Sequence, residues 1–193
     1  MAQEIEIEFK NLVTEEEFLL LTDHFHISEE NFISQDNHYF DTVDFQLKNK
    51  HSALRIRQKD GTYTLTLKTP LKEDLLETHQ PLSKEEAVSL LAGGTFPQGE
   101  VTEALQSMEI NCDALELFGT LTTTRAEIDY KEGLLVFDKS SYLGKEDFEL
   151  EYEAKERKSG EAAFRELLKQ LNIPMRKTDN KIKRFYMEKF KQR

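Results

Sequence analysis

Two short stretches of the sequence, EIEIEFK at 4–10 and FELEYEA at 148–154, place acidic side chains at every second position. Successive side chains of a strand point to opposite faces, so each stretch would line up several carboxylates on one face. Such neighbours repel unless water solvates them or a cation neutralises them. Because hard divalent cations bind carboxylate oxygens, these two stretches are candidates for metal chemistry.

Basic side chains occupy the polar positions of the strands between these stretches. ALRIR at 53–57 places Arg55 and Arg57 opposite Leu54 and Ile56, and Lys68 and Arg125 occupy similar positions further along the chain. Arg and Lys neutralise phosphate oxygens. Acids on the outer strands and bases on the middle strands would therefore suit a polyanion that a divalent cation bridges to the acids. The simpler alternative is that each charged face is merely the solvated face of a half-buried sheet.

The length and composition limit the class of protein. A chain of 193 residues fits one domain over 1–193, and its net charge of −11 argues against general nucleic-acid binding. Cys112 is the only cysteine, which excludes an intrachain disulfide. The acidic start without a long apolar run predicts neither a secretory signal nor a membrane span, so we expect a cytoplasmic protein.

The elements that must position these residues are mixed along the chain. Capping boxes at Thr14 and Ser83 begin two predicted helices, and Asp60-Gly61 predicts a hairpin turn. The pattern predicts one α+β domain with a mainly antiparallel sheet. The predicted helices cover about 14–23, 83–92, 100–109, 161–171 and the stretch from Thr178 onward. The predicted strands are 4–10, 37–42, 53–58, 62–69, 75–80, 121–130, 134–139 and 148–154.

Five motifs in order resemble the CYTH superfamily, the triphosphate tunnel metalloenzymes. They are Glu6-x-Glu8-x-Lys10, YFDT at 39–42, ALRIR at 53–57, LTLK at 65–68 and FELEYE at 148–153. The resemblance implies an eight-stranded antiparallel β-barrel that encloses a tunnel, with helices packed outside. It also implies Mg²⁺ or Mn²⁺ as cofactor. The family includes inorganic triphosphatases, thiamine triphosphatases and class IV adenylate cyclases.

The resemblance also implies roles for individual residues. The carboxylates that bind metal would be Glu6, Glu8, Glu149, Glu151 and Glu153. The side chains that bind the triphosphate would be Lys10, Arg55, Arg57, Lys68, Arg125 and one basic residue near the C-terminus. The candidates for orienting the attacking water are Glu6, Glu8 and Glu151, and Glu77 is a weaker candidate for the tunnel.

The C-terminal basic residue is ambiguous, because Lys177, Lys181 and Arg184 all lie in RKTDNKIKR at 176–184. We prefer Lys181, since helix starts suit anion binding and Lys181 follows a predicted cap at Thr178.

The leading hypothesis is a metal-dependent hydrolase that cleaves a phosphoanhydride of a linear triphosphate. Phosphoryl transfer needs mainly positioning and charge neutralisation, so no covalent nucleophile is required. One alternative is an adenylate cyclase that forms cyclic AMP from ATP, and another is a protein that binds polyphosphate or nucleotide without turnover. We expect a small-molecule triphosphate as partner, without nucleic acid or membrane, and a monomer or homodimer.

Overall fold

The computed structural model describes residues 3–191 and contains eight strands and six helices within them. The strands are β1 (Gln3–Val13), β2 (Ile33–Thr42), β3 (Ala53–Lys59), β4 (Thr62–Leu71), β5 (Asp74–Leu82), β6 (Leu115–Tyr130), β7 (Gly133–Tyr142) and β8 (Lys145–Ala154). The helices are α1 (Glu15–His24), α2 (Gln46–Asn49), α3 (Lys84–Leu91), α4 (Glu100–Ser107), α5 (Arg157–Gln170) and α6 (Lys181–Lys191).

The strands form a closed barrel in the order β1-β5-β4-β3-β2-β6-β7-β8. The predicted α+β class with an eight-stranded antiparallel barrel is therefore confirmed. All eight predicted strands are present, and several are longer than predicted; β6, for example, begins six residues earlier, at Leu115. The prediction of one domain over 1–193 stays a prediction.

One compact unit comprises residues 3–6 and Gln35–Leu121. Its hydrophobic core contains the apolar face of β3 and β4, with Leu54, Ile56 and Leu67 fully buried. Leu90 of α3 and Leu105 of α4 belong to the same core. The opposite face of β3 and β4 therefore carries the charged side chains.

The second compact unit comprises Ile7–Ser34 and 122–191. Its core contains Phe137 of β7 and Leu150 of β8. Phe18 of α1, together with Phe164 and Leu167 of α5, belongs to this core. Alternation again leaves the acidic residues of β8 on the face opposite the core.

The predicted hairpin turn at Asp60-Gly61 is confirmed. Asp60 has φ 50° and Gly61 has φ 74°, which matches a two-residue turn with two left-handed residues. The turn sets the register of β3 and β4, in which Arg55 lies opposite Thr66 and Arg57 opposite Thr64. Both arginines therefore share one face of the sheet.

The short helix α2 was not predicted, and Asp41 explains it. The Asp41 carboxylate accepts hydrogen bonds from the backbone N–H groups of Thr42, Leu47 and Lys48 at 2.8, 2.9 and 3.1 Å. It thereby satisfies donors at the helix start, as a capping side chain does. In YFDT at 39–42, Asp41 thus fixes the turn that leads into β3.

The predicted cap at Thr178 is wrong. The Thr178 hydroxyl accepts a hydrogen bond from the Leu12 N–H at 2.8 Å, so it ties the chain to β1. Helix α6 begins at Lys181, and the Asn180 side chain accepts from the Lys183 N–H at 2.9 Å. The predicted capping boxes at Thr14 and Ser83 are both confirmed.

Among residues 3–191, no helix has both the length and the apolar character that crossing a membrane requires.

Helix α5 packs closely against β1 and β8 at Gly160. A Cβ atom at Gly160 would lie 2.4 Å from the Ala154 Cβ and 2.9 Å from a ring carbon of Phe9. We therefore expect Gly160→Ala to lower the free energy of unfolding by about 1–3 kcal/mol, because overpacking forces neighbours to shift. Urea denaturation measures this change. The exposed Lys158→Ala in the same helix is the control, and equal stability of the two variants would contradict the packing.

Candidate functional site

Three buried carboxylates converge in the second unit. Asp138 of β7 lies opposite Glu149 of β8 in the sheet, and Glu151 follows on the same face of β8. One oxygen from each of the three carboxylates lies within 4.8 Å of the others. Burying three ionised acids is costly unless cations neutralise them, so the surroundings of this group decide its chemistry.

Arg125 of β6 neutralises one side of the acid group. Its Nε and Nη2 donate to the two Asp138 oxygens at 2.7 and 2.6 Å, and Nη2 also donates to Glu151 at 3.0 Å. Arg125 lies opposite Asp138 in the register of β6 and β7, so the strand pairing produces this bidentate contact.

Helix α6 supplies two more cations. The Lys181 Nζ contacts Asp138 at 2.8 Å, Glu151 at 2.5 Å, and Glu149. One turn later, Arg184 donates to Glu149 at 2.5 Å and to Asp147 at 3.0 Å. Four carboxylates thus meet three cationic side chains within one compact unit.

The pKa values of the two glutamates move in opposite directions. Burial opposes ionisation of Glu151, but Lys181 and Arg125 outweigh it and hold the pKa of Glu151 well below its usual value. Burial, together with the charge of Glu151, raises the pKa of Glu149 to about 7 although Lys181 and Arg184 oppose this. Of these two carboxyls, Glu149 is therefore the one that keeps its proton to higher pH.

Glu8 and Lys10 of β1 lie beside this group. Lys10 is opposite Glu151 in the register of β1 and β8, and it forms an ion pair with Glu8. Burial alone would lower the pKa of Lys10, but the charges of Glu8, Glu151 and Glu149 raise it. Lys10 therefore stays charged.

A second charged group lies in the first unit. The Lys68 Nζ contacts Glu6 at 2.6 Å and also contacts Glu77. Burial opposes ionisation of Glu77, but Lys68 and Arg55 lower its pKa to about 2. Here Glu6 and Glu77 are counter-ions of basic side chains.

Arg55 of β3 has a donor without a partner. Its Nε atom is buried and has no hydrogen-bond partner within the described residues. Although burial disfavours its charge, Tyr39, Glu77 and Glu6 raise its pKa. On the same face, the Arg57 Nε donates to the Asn37 side chain at 3.2 Å. A charged guanidinium with a free donor is suited to binding an anion.

The structure brings some of the predicted site residues together and not others. Glu149, Glu151, Arg125 and Lys181 meet, whereas Glu153, two positions beyond Glu151, is not in the acid group. Of the three C-terminal candidates, Lys181 and Arg184 contact the acids and Lys177 is exposed.

Sequence reasoning noted Asp138 and His79 but assigned neither of them a role. Asp138 ends the apolar run LLVF of β7, and only the strand register reveals that it faces Arg125. His79 of β5 has its Nε2 3.0 Å from Glu4 and 3.2 Å from Glu77. The polar alternation of the short strand at 75–80 was the only available signal for His79.

The acid group fits a hard divalent cation. Its donors are three carboxylates, which are the ligands that Mg²⁺ and Mn²⁺ prefer. The same set lacks the Cys and His ligands that characterise most zinc sites.

Comparison with known proteins agrees with this fold. A model of the CYTH domain matches residues 4–186. The "putative triphosphatase YjbK" of Bacillus subtilis (strain 168) is 52% identical over 191 residues, which cover 99% of each chain. The crystal structure of a "putative adenylate cyclase" from Bacillus halodurans is 49% identical, with a TM-score of 0.94 over 96% of this chain and 100% of that chain. HpAC1 from Hippeastrum, at 22% identity and a TM-score of 0.80 over 95% of each chain, supports the fold alone.

The raised pKa of Glu149 makes stability depend on pH. The folded pKa of about 7 exceeds the usual 4.5, so the folded state binds this proton more tightly than the unfolded state. The stabilisation is present at low pH and is lost as pH rises toward the folded pKa. Relative to Glu149→Gln, we expect the wild-type free energy of unfolding to fall by about 3 kcal/mol between about pH 5 and about pH 8.

Denaturant unfolding with a metal chelator present measures this difference. The half-exposed Glu146, on the same strand, provides the control Glu146→Gln. A pH-independent difference between wild type and Glu149→Gln would show that Glu149 does not titrate in this range.

Proposed function

Because the chain belongs to the CYTH domain family, we propose that it is a hydrolase that cleaves a phosphoanhydride bond of a triphosphate with the help of a divalent cation. The observation that carries this proposal is the group of three buried carboxylates contacted by Arg125, Lys181 and Arg184. Such a group offers ligands for a metal and donors for phosphate oxygens within one compact unit.

The proposed metal ligands are Asp138, Glu149 and Glu151, with Glu6, Glu8 and Glu153 kept as candidates from the family resemblance. When bound, Mg²⁺ or Mn²⁺ would neutralise phosphate charge and make a coordinated water more acidic. We propose that Arg125 keeps Asp138 and Glu151 oriented, since it donates to both.

The proposed phosphate-binding residues are Lys10, Arg55, Arg57, Lys68, Arg125 and Lys181. The buried Arg55 Nε supports this role most directly, because an incoming phosphate oxygen would satisfy its free donor. Arg57 and Lys68 add positive charge on the same face of β3 and β4. These three side chains would hold the triphosphate without taking part in bond breaking.

Water attacks the terminal phosphorus, the bond to the bridging oxygen breaks, and that oxygen leaves with the diphosphate portion. The attacking water loses a proton in this reaction. Glu6, Glu8 and Glu151 remain candidates for orienting that water. The proton would pass to solvent, because a carboxylate that holds the metal is not free to accept it.

The two relatives carry the names of different reactions, since one is called a "putative triphosphatase" and the other a "putative adenylate cyclase". A panel of tripolyphosphate, thiamine triphosphate and ATP, each with Mg²⁺ or Mn²⁺, separates the possibilities by product. Hydrolysis releases phosphate, whereas cyclisation of ATP releases pyrophosphate and cyclic AMP. Binding without any product would favour a protein that binds triphosphate without turnover, and would contradict the proposal.

The role of Arg55 gives a specific prediction for the same assay. We expect Arg55→Ala to lower kcat/KM for phosphate release about 100-fold or more, because it removes a preorganised donor to a charged group. Lys50→Ala removes the same charge from an exposed position and should leave the rate unchanged.

Circular dichroism establishes whether Arg55→Ala is folded, and Arg57→Ala serves as a second variant on the same face. If Arg55→Ala and Lys50→Ala release phosphate equally fast, Arg55 does not bind the substrate.

A further inference from the structure

The ammonium group of Lys181 lies at the centre of the acid group. Its Nζ is 2.8 Å from Asp138 and 2.5 Å from Glu151, and it also contacts Glu149. Its side chain is only 12% exposed. Lys181 therefore contacts each of the three carboxylates that offer oxygens to a metal.

An ammonium ion and a divalent cation cannot occupy this position together. Both are attracted by the same carboxylate oxygens, and the three oxygens lie within 4.8 Å of one another. Two cations in so small a volume repel strongly, since the carboxylates around them are buried and the effective dielectric constant is low. Binding of a metal to Asp138, Glu149 and Glu151 therefore requires the Lys181 side chain to leave.

The position of Lys181 in the fold allows this movement. It is the first residue of α6, and residues 173–180 before it form neither helix nor strand. The start of α6 is held by other contacts, including Asn180 to the Lys183 N–H and Arg184 to Asp147. The flexible four-carbon stem of Lys181 can thus turn away while the helix stays in place.

We propose that Lys181 is a built-in competitor for the divalent cation and thereby sets the affinity of the acid group for metal. This inference rests on the proposed function only in taking Asp138, Glu149 and Glu151 as the metal ligands. Without metal, Lys181 neutralises the buried acids. With metal, the released ammonium becomes available to an anion, so metal binding and triphosphate binding favour each other.

The test measures Mn²⁺ binding without any triphosphate. We expect Lys181→Met to bind Mn²⁺ about tenfold more tightly than wild type or better, because coupling between competing charges is typically of this order. Lys181→Arg keeps the positive charge and should bind no more tightly than wild type. Lys183→Met removes a charge from an exposed position two residues away and should leave the affinity unchanged.

Electron paramagnetic resonance of free Mn²⁺ gives the dissociation constants. The rise in melting temperature on adding Mn²⁺ gives a second readout, and it should be largest for Lys181→Met. If Lys181→Met folds only when Mn²⁺ is present, the metal has replaced the lost ammonium, as the proposal requires. If it does not fold even then, Lys181→Gln takes its place in the same comparison.

Equal or weaker Mn²⁺ binding by Lys181→Met and Lys181→Gln would overturn the proposal, and so would the absence of Mn²⁺ binding by wild type and variants alike. Phosphate release by wild type is measured separately. Continued phosphate release alongside unchanged Mn²⁺ affinity would reject the role of Lys181 alone, whereas tighter Mn²⁺ binding without phosphate release would reject the proposed function alone.

Discussion

Neutralisation of buried carboxylates is the constraint on which the rest of this structure depends. Asp138, Glu149 and Glu151 are all less than one-twentieth exposed, and without counter-ions they would cost far more than packing could offset. Arg125 supplies one counter-ion from β6, and α6 supplies the others. Helix α6 thus stabilises the fold through its cationic side chains as well as through its buried apolar residues Ile182 and Phe185.

The first unit obeys the same constraint, because its buried acids and bases also neutralise one another. Around Arg55 and Lys68, the acids Glu6 and Glu77 act as counter-ions. Among residues 3–191, no group accepts a hydrogen bond from the buried Arg55 Nε. The Arg55 side chain therefore suits an anion, whereas the acid group of the second unit suits a cation.

Much of this arrangement could be predicted because it depends on alternation along strands. The period of two identified which face each of Arg55, Arg57 and Glu151 occupies. The strand register and the tertiary contacts could not be predicted from the sequence and required the structure. Asp138 enters the site only because β7 pairs with β6 and β8 in one register. Glu153 lies on the same face of β8 as Glu151, but a step of two residues moves a side chain about 6.6 Å along the strand. Glu153 is therefore not in the acid group.

Local sequence patterns gave a wrong or a missing prediction in two places, because the hydrogen bonds there join residues that are not neighbours in sequence. Thr178 has the sequence of a helix cap, yet its hydroxyl accepts from Leu12, which is remote in sequence. Similarly, α2 depends on the Asp41 carboxylate, six and seven residues away from the N–H groups of Leu47 and Lys48. Both deviations stabilise segments that connect to site residues, the first preceding Lys181 and the second preceding Arg55.

The most direct test of the central claim is anomalous diffraction from crystals grown with Mn²⁺ and tripolyphosphate. The arrangement of charges predicts an Mn²⁺ peak at Asp138, Glu149 and Glu151, with Lys181 withdrawn from the carboxylates. It also predicts a phosphate oxygen within hydrogen-bond distance of the Arg55 Nε. Mn²⁺ peaks confined to exposed carboxylates, with Lys181 still among the three acids, would contradict the account.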